Sequence, residues 1–206
     1  MPWATSQDCS HWVVQIRGFR HRSLFSKAVS PEESDYLAKE VRARVEIDKQ
    51  LALAGWVVQS QAKLTLGAGL GVAVLEFTLE KGHGRVDYLL FLDSKPVGVV
   101  EAKPEGTTLI EVERQSGKYV DGLPEWMRPS VYPLPFIYES TGKETRFTNG
   151  YDPDARSRLV STFHRPETLA EWLQQIAVDP ETPTFRARVR HMPDLNTATR
   201  RRPQGA

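Results

Sequence analysis

The stretch GRVDYLLFLDSKPVGVVEAK, Gly84 to Lys103, limits the fold more than any other part of the chain. Two apolar runs of β-formers flank a short polar turn, which commits this stretch to a β-hairpin. Three polar residues interrupt it where packing alone does not ask for them: Asp87, Glu101 and Lys103. Side chains alternate across a strand, so Val99, Glu101 and Lys103 share one face, with Val100 and Ala102 on the other. Asp87 lies in the partner strand. It falls opposite Glu101 only if paired residue numbers sum to 188, which needs an odd loop such as Asp93–Lys95, or a bulge. A two-residue turn at Ser94-Lys95 gives 189 and turns Asp87 to the other face.

If the register holds, the three residues have a coherent chemistry. Mg²⁺ takes one or two carboxylates and hard carbonyl oxygens and keeps several waters. Asp87, Glu101 and the backbone carbonyl of Ala102 would supply three ligands. The ion would polarise a scissile phosphate and lower the pKa of a bound water. Lys103 would orient or help deprotonate that water, or stabilise charge in the transition state. Such an array suits phosphodiester hydrolysis. An ordinary solvated hairpin face uses the same residue types, and spacing alone leaves both readings open.

The rest of the chain reads as one mixed α/β domain with a single sheet. Ser30-Pro31-Glu32-Glu33 is a helix start with a capping serine, a first-turn proline and a capping box. Leu37, Val41, Val45 and Leu51 suggest the apolar stripe of that helix, and Gly55 its end. WVVQ (56–59) reads as a short strand or helix exit, and LGAGLGVAV (66–74) as a loop. Its glycines lack the strand-to-helix context and the Lys-Ser/Thr of a nucleotide-binding loop. Strands are expected at 75–79, 85–92 and 97–103, then a helix over 108–120. FIYES and TRFTN form a late strand pair, 148–158 a surface loop, and RPETLAEWLQQ (165–175) a helix. After Pro180 the pattern fades.

These elements place an N-terminal extension at 1–29, a folded domain at 30–178 and a tail at 179–206. The 206 residues carry a net charge of +1, unevenly spread. Residues 1–30 hold four basic groups and one acid, and 182–206 hold six arginines and one acid. The body, 31–181, holds 17 basic and 24 acidic residues. So acidic a body argues against strong duplex binding unless a metal ion, the basic ends or a partner offsets it. A single cysteine, Cys9, excludes an internal disulfide framework and a cysteine zinc cage. No apolar run reaches the roughly 20 residues of a membrane span. A cytoplasmic protein is expected. The histidines show no shared metal-ligand spacing. His83 fits a glycine-flanked turn and His164 a structural position. There is no G-x-S-x-G elbow.

D-x13-E-x-K followed by a helix with Gln115 and Tyr119 resembles the PD-(D/E)xK nucleases. It is most similar to the N-terminal nuclease domain of the restriction (R) subunit of type I restriction–modification enzymes. RVEIDKQLALAGW (44–56), GRVDYLLFLDSKPVGVVEAKPEG (84–106), RQSGKYV (114–120), PFIYESTGKETRFTN (135–149) and FHRPETLAEWL (163–173) carry the likeness, which covers about 31–192. The resemblance implies a restriction-endonuclease-like core, a central mixed sheet flanked by helices. It implies that Asp87 and Glu101 bind Mg²⁺, that Lys103 is the catalytic lysine, and that Gln115 and Tyr119 form the family's Q-x-x-x-Y pair beside the centre, handling DNA. Residues four apart do share a helix face. Glu40 on the first helix is a candidate for the extra acid that related nucleases place near the metal, with Glu46 as competitor and a solvated helix face as the plainer reading of both. The proline of the superfamily name is absent, since Arg85-Val86 precede Asp87.

The implied partners are double-stranded DNA and the methyltransferase and specificity subunits of a type I complex. Full-length members add an ATP-driven motor, yet no Walker motif exists in this chain. An excised domain, a truncated product or one piece of a split system is therefore expected, with translation starting near Val29. Two alternatives remain: a non-catalytic remnant or assembly module binding restriction subunits, and a stand-alone repair or recombination nuclease of the same superfamily.

Overall fold

The computed structural model describes residues 30–109, 119, 122–127 and 133–193. The expected helix over 108–120 lies outside these residues except for helical Tyr119 and the non-helical Thr108 and Leu109. Helix α1 spans Pro31–Leu53. Ser30 accepts a bond from the Glu33 amide at 3.2 Å, and proline opens the first turn, as a capping sequence dictates. The chain leaves the helix through Gly55 at φ 94°.

The face that α1 buries is not the expected one. Ala43, Ile47 and Leu51 are buried, whereas Leu37, Val41 and Val45 are half-exposed; Leu51 alone of the expected stripe packs in the core. A 23-residue helix is roughly 34 Å long. Its first two turns extend beyond the packed core, so only the C-terminal half is sorted by burial.

Seven strands form one sheet in sequence order: β1 Val57–Ser60, β2 Gly71–Thr78, β3 Arg85–Leu92, β4 Lys95–Ala102, β5 Phe136–Ser140, β6 Thr145–Asn149 and β7 Arg158–Val160. Pairs β1–β2 and β4–β5 are parallel and the other four antiparallel. Helices α2 (Pro166–Val178) and α3 (Phe185–Arg190) follow. This is the α/β architecture expected, a mixed sheet flanked by helices. Four local expectations need correction. Gly71–Val74 is strand rather than loop, and its glycine serves close packing rather than a turn, since a side chain at Gly71 would collide with the ring of Pro166. β4 begins at Lys95, two residues early. Arg158–Val160 adds a strand to what read as a surface loop. And α3 forms after Pro180, too short for an apolar period but capped by Thr184, whose oxygen accepts the Ala187 amide at 3.2 Å.

The sheet separates two cores. On the α1/α2 face Ile47, Leu51, Tyr88, Leu90, Val100 and Phe136 pack together. Around them Tyr138, Phe147, His164 and Trp172 stack with ring centroids 4.5–4.9 Å apart. His164 is structural, as expected: its Nδ1 lies 2.7 Å from the Tyr138 hydroxyl, its carbonyl accepts the Trp56 indole N–H, and burial lowers its pKa. On the other face Val74, Phe77, Leu89, Val99 and Ile137 pack with Tyr119, Leu123 and Met127.

The hairpin β3–β4 settles the register. Its tip is a two-residue turn at Asp93 and Ser94, both at positive φ (46° and 64°), as primed turns require. Leu92 pairs with Lys95 and Phe91 with Pro96, sums of 187. A bulge then shifts the ladder, and Leu90–Gly98, Leu89–Val99 and Tyr88–Val100 all sum to 188. Val97 is the extra residue. The register that the acidic residues need is reached by a bulge, not by an odd loop.

Candidate active site

At the open end of this hairpin the ladder stops at Tyr88–Val100, and the next step brings Asp87 alongside Glu101. The same place is irregular in β2. Leu75 faces α1, while Val74 and Phe77 face the opposite core, and Glu76 between them takes φ 51°. In β3, Tyr88 faces α1 and Val86 the opposite core, with Asp87 between. Both strands therefore change face at a pair of acids. A non-glycine residue at positive φ inside a strand costs on the order of 1–3 kcal/mol, a strain that gathers at functional sites.

Each oxygen of Asp87 has a partner. Oδ2 accepts the backbone N–H of Ala102 at 3.0 Å, and Oδ1 accepts Arg44 Nη2 at 2.7 Å. Arg44 comes from α1, where it occupies a position on the buried face one turn before Ile47. It also bonds Glu40 at 2.8 Å and Glu76 at 2.9 Å, and Arg85 reaches Glu76 at 3.2 Å. Partial burial works against the guanidinium's charge, but Asp87, Glu40 and Glu76 outweigh it and hold its pKa above the ordinary value. Its Nε is buried without a hydrogen-bond partner.

Glu101 is 7% exposed. Tyr119 donates its hydroxyl to Oε1 at 2.5 Å, and Lys103 Nζ stands 3.9 Å from Oε2. Burial pushes the Glu101 pKa up, and the neighbouring charges of Asp87 and Glu139 add to it, against the opposing effects of Tyr119 and Lys103. Burial and the bond to Glu101 likewise raise the Tyr119 pKa. Glu139 is the residue beside Glu101 in the parallel ladder to β5.

Of the residues singled out in the sequence, Asp87, Glu101, Lys103, Ala102 and Tyr119 meet at one end of β3 and β4. Gln115 lies outside the described residues. Glu40 joins the group through Arg44, while Glu46 pairs with Lys49 at 3.4 Å. His83 sits in the turn before β3, its N–H bonded to Glu80. Sequence reasoning missed Arg44, Glu76 and Glu139. Arg44 left a usable trace: an arginine four residues after an acid, in register with Ile47 and Leu51. Among the described residues no group of three or more His, Cys, Asp or Glu is arranged to hold a metal ion. The set here is smaller, two carboxylates and a backbone carbonyl, and that is the hard-oxygen donor set that suits Mg²⁺. Two acids side by side, one buried with a raised pKa, form a place that a divalent cation would relieve.

Among the described residues no helix is long and apolar enough to cross a membrane. A family model described as the second domain of the type I restriction enzyme EcoKI endonuclease subunit matches residues 67–173, just over half the chain. The type I restriction enzyme EcoKI endonuclease subunit of Escherichia coli K12 is 28% identical over 213 aligned residues, covering 77% of this chain and 17% of its own length. A solved fragment assigned to the HsdR subunit of a type I restriction enzyme from Vibrio vulnificus YJ016 is similar at 24% identity and a TM-score of 0.45, over 64% of this chain and 24% of that one. This chain therefore spans under a fifth of the Escherichia coli relative.

Proposed function

The chain belongs to the family of the second domain of the type I restriction enzyme EcoKI endonuclease subunit, and from that premise we propose that Asp87, Glu101 and Lys103 form a Mg²⁺-dependent PD-(D/E)xK centre that hydrolyses phosphodiester bonds of double-stranded DNA. The observation that supports it most is the bulge at Val97. It sets the 188 register and brings Asp87 against the Ala102 amide beside Glu101.

Asp87, Glu101 and the Ala102 carbonyl would hold the ion. When bound, Mg²⁺ supplies Lewis-acid polarisation of a phosphate oxygen and a more acidic water. The chain's own residues prepare that place. Arg44 and the Ala102 N–H fix both oxygens of Asp87, and such partners orient metal-binding carboxylates. Tyr119 holds Oε1 of Glu101 and leaves Oε2 on the side of Lys103. Lys103, its side chain 37% exposed, stands just past the end of β4, where it would orient the attacking water or stabilise charge gathering on the phosphate. In the whole enzyme, methyltransferase and specificity subunits would choose the DNA and a motor would deliver it. This chain would provide the cut.

Purified protein incubated with plasmid and Mg²⁺ tests the reading. Nicking or linearisation is expected, lost in EDTA and lost in Asp87→Ala and Lys103→Ala. Folded wild-type protein that does not cut at any concentration, alone or with a compatible motor and methyltransferase, overturns it in favour of a non-catalytic assembly module.

A further inference from the structure

A second charged feature stands apart from these carboxylates. The 152–158 loop, β7 and α3 enclose a cavity of about 700 Å³ whose wall carries five arginines: Arg156, Arg158, Arg186, Arg188 and Arg190. Its floor is aromatic, with Phe147, His164 and Trp172. We propose that this cavity binds the phosphodiester backbone of the DNA duplex on which the nuclease centre acts. The proposal rests on the nuclease reading for its ligand and on the following geometry for its place.

The arginines are organised as two rungs. Asp152, 7% exposed, lies between Arg158 and Arg186, 3.2 Å from each. Asp154 lies between Arg190 at 2.5 Å and Arg156 at 3.9 Å. Arg186 and Arg190 are four apart on α3, so the rungs are spaced by one helical turn, about 5–6 Å. Phosphates recur along one strand every roughly 3.4 Å of duplex axis, so two rungs a helical turn apart span a stretch holding one to two of them. Each guanidinium has five N–H donors; Arg158 also bonds the carbonyls of Arg156 and Asp154 at 3.1 and 3.4 Å, whereas the aspartate contacts of Arg156, Arg186 and Arg190 leave most of their donors to a ligand. The side chains of Arg156, Arg186 and Arg190 are 73%, 55% and 57% exposed. Every cation is arginine, the residue whose planar fork fits a phosphate in two bonds.

The charge balance singles this place out. Residues 30–193 hold 20 basic and 24 acidic groups, yet here five arginines face two aspartates. Position also fits. Glu101 pairs with Glu139, Glu139 with Arg146 and Arg146 with Leu159, a row three strand spacings wide, roughly 14 Å. Ser157, between Arg156 and Arg158, donates to Glu139 at 3.3 Å. That separation along the sheet is under half a duplex turn of roughly 34–36 Å.

The rungs could instead serve only to fasten α3, and the experiment separates the two. Binding of a short labelled duplex is followed by anisotropy in EDTA across a NaCl series, which removes the metal centre from the measurement. Arg156→Gln/Arg190→Gln is expected to weaken binding at least about tenfold at low salt. The slope of log K against log salt should fall by about 1–2, one or two phosphates' worth. Lys63→Gln, exposed on a remote turn, is the control. Unchanged affinity and slope in variants with wild-type circular dichroism overturn the proposal, as does wild-type protein that fails to bind in EDTA. A cutting assay of the wild type with Mg²⁺ divides this result from the nuclease reading: arginine-dependent binding without any cutting would leave the cavity standing and the nuclease reading fallen.

Discussion

Around Arg44 one cation is shared by three anions, Glu40, Glu76 and Asp87. Around Asp152 one anion is shared by two cations, Arg158 and Arg186. The two clusters invert each other's stoichiometry, and each is left with an excess of its majority charge. An ion pair that balances is finished chemistry, whereas one left unbalanced on purpose can still take a ligand of opposite sign. The carboxylate excess points to a cation and the arginine excess to a polyanion. The difference also shows in the backbone: the acidic cluster sits at a strained strand residue, Glu76, while the basic one sits on a loop, the start of the short edge strand β7 and a single short helix.

The sharpest way to break the comparison is at the acidic end. Asp87→Asn keeps the shape and the Ala102 contact but removes a charge, and should lower Mg²⁺ affinity, read by calorimetry, and plasmid cutting by about 100-fold or more. Arg44→Met takes away the shared cation. It should cost about 2–3 kcal/mol in urea unfolding at neutral pH, since three carboxylates lose a charged partner. That loss should shrink in acid, where the acids protonate. An equal cost at all pH values would mean that Arg44 matters for packing alone. At the basic end Asp152→Asn is the mirror experiment. Its side chain bridges two arginines and is nearly covered, so about 1–2 kcal/mol is expected, together with tighter DNA binding as the positive excess grows. Weaker binding would show that the aspartate orients the arginines.

The smallest effect on stability should be that of Glu101→Gln in the metal-free protein. The folded pKa of Glu101 is raised, chiefly by burial, so the native state holds that proton more tightly than the unfolded one. Stability therefore falls as pH climbs from the unfolded value near 4.5 through the raised folded value, and the penalty is fully present above it. Glutamine should raise the Tm of the metal-free protein modestly at neutral pH and leave it unchanged in strong acid, while abolishing stabilisation by Mg²⁺. A neutral-pH Tm below that of the wild type would contradict this sign.

What could be read in the sequence was what is decided locally. The Ser30 cap, the β5–β6 strand pair and the proline start of α2 are all written within a few residues, and they appear as expected. The buried face of α1 was misread because Leu37, Val41 and Val45 are as apolar as the residues that do pack; only the extent of the sheet tells them apart. Gly71 looked like loop because its reason, the Pro166 ring, lies 95 positions away in the chain. At the site, Glu101 and Lys103 follow from strand parity, but Asp87 needed a register that a bulge supplies. Arg44 was hidden because a charged residue on a helix reads as solvent-facing until its three partners are seen together. Gln115 stays an expectation.

The bulge at Val97 makes the hairpin tip and the acidic residues parts of one parity rule. A two-residue tip with one extra residue in β4 and a three-residue tip with none are interchangeable, because both keep Asp87 beside Glu101. Changing either alone is not tolerated in the same way. Insertion of a single residue at Asp93-Ser94, on the surface and the length of a strand away, would put Asp87 out of phase with Glu101. A loop that touches nothing in the site is thus as restricted in length as the site is in identity. Relatives with a longer tip are expected to have lost the bulge.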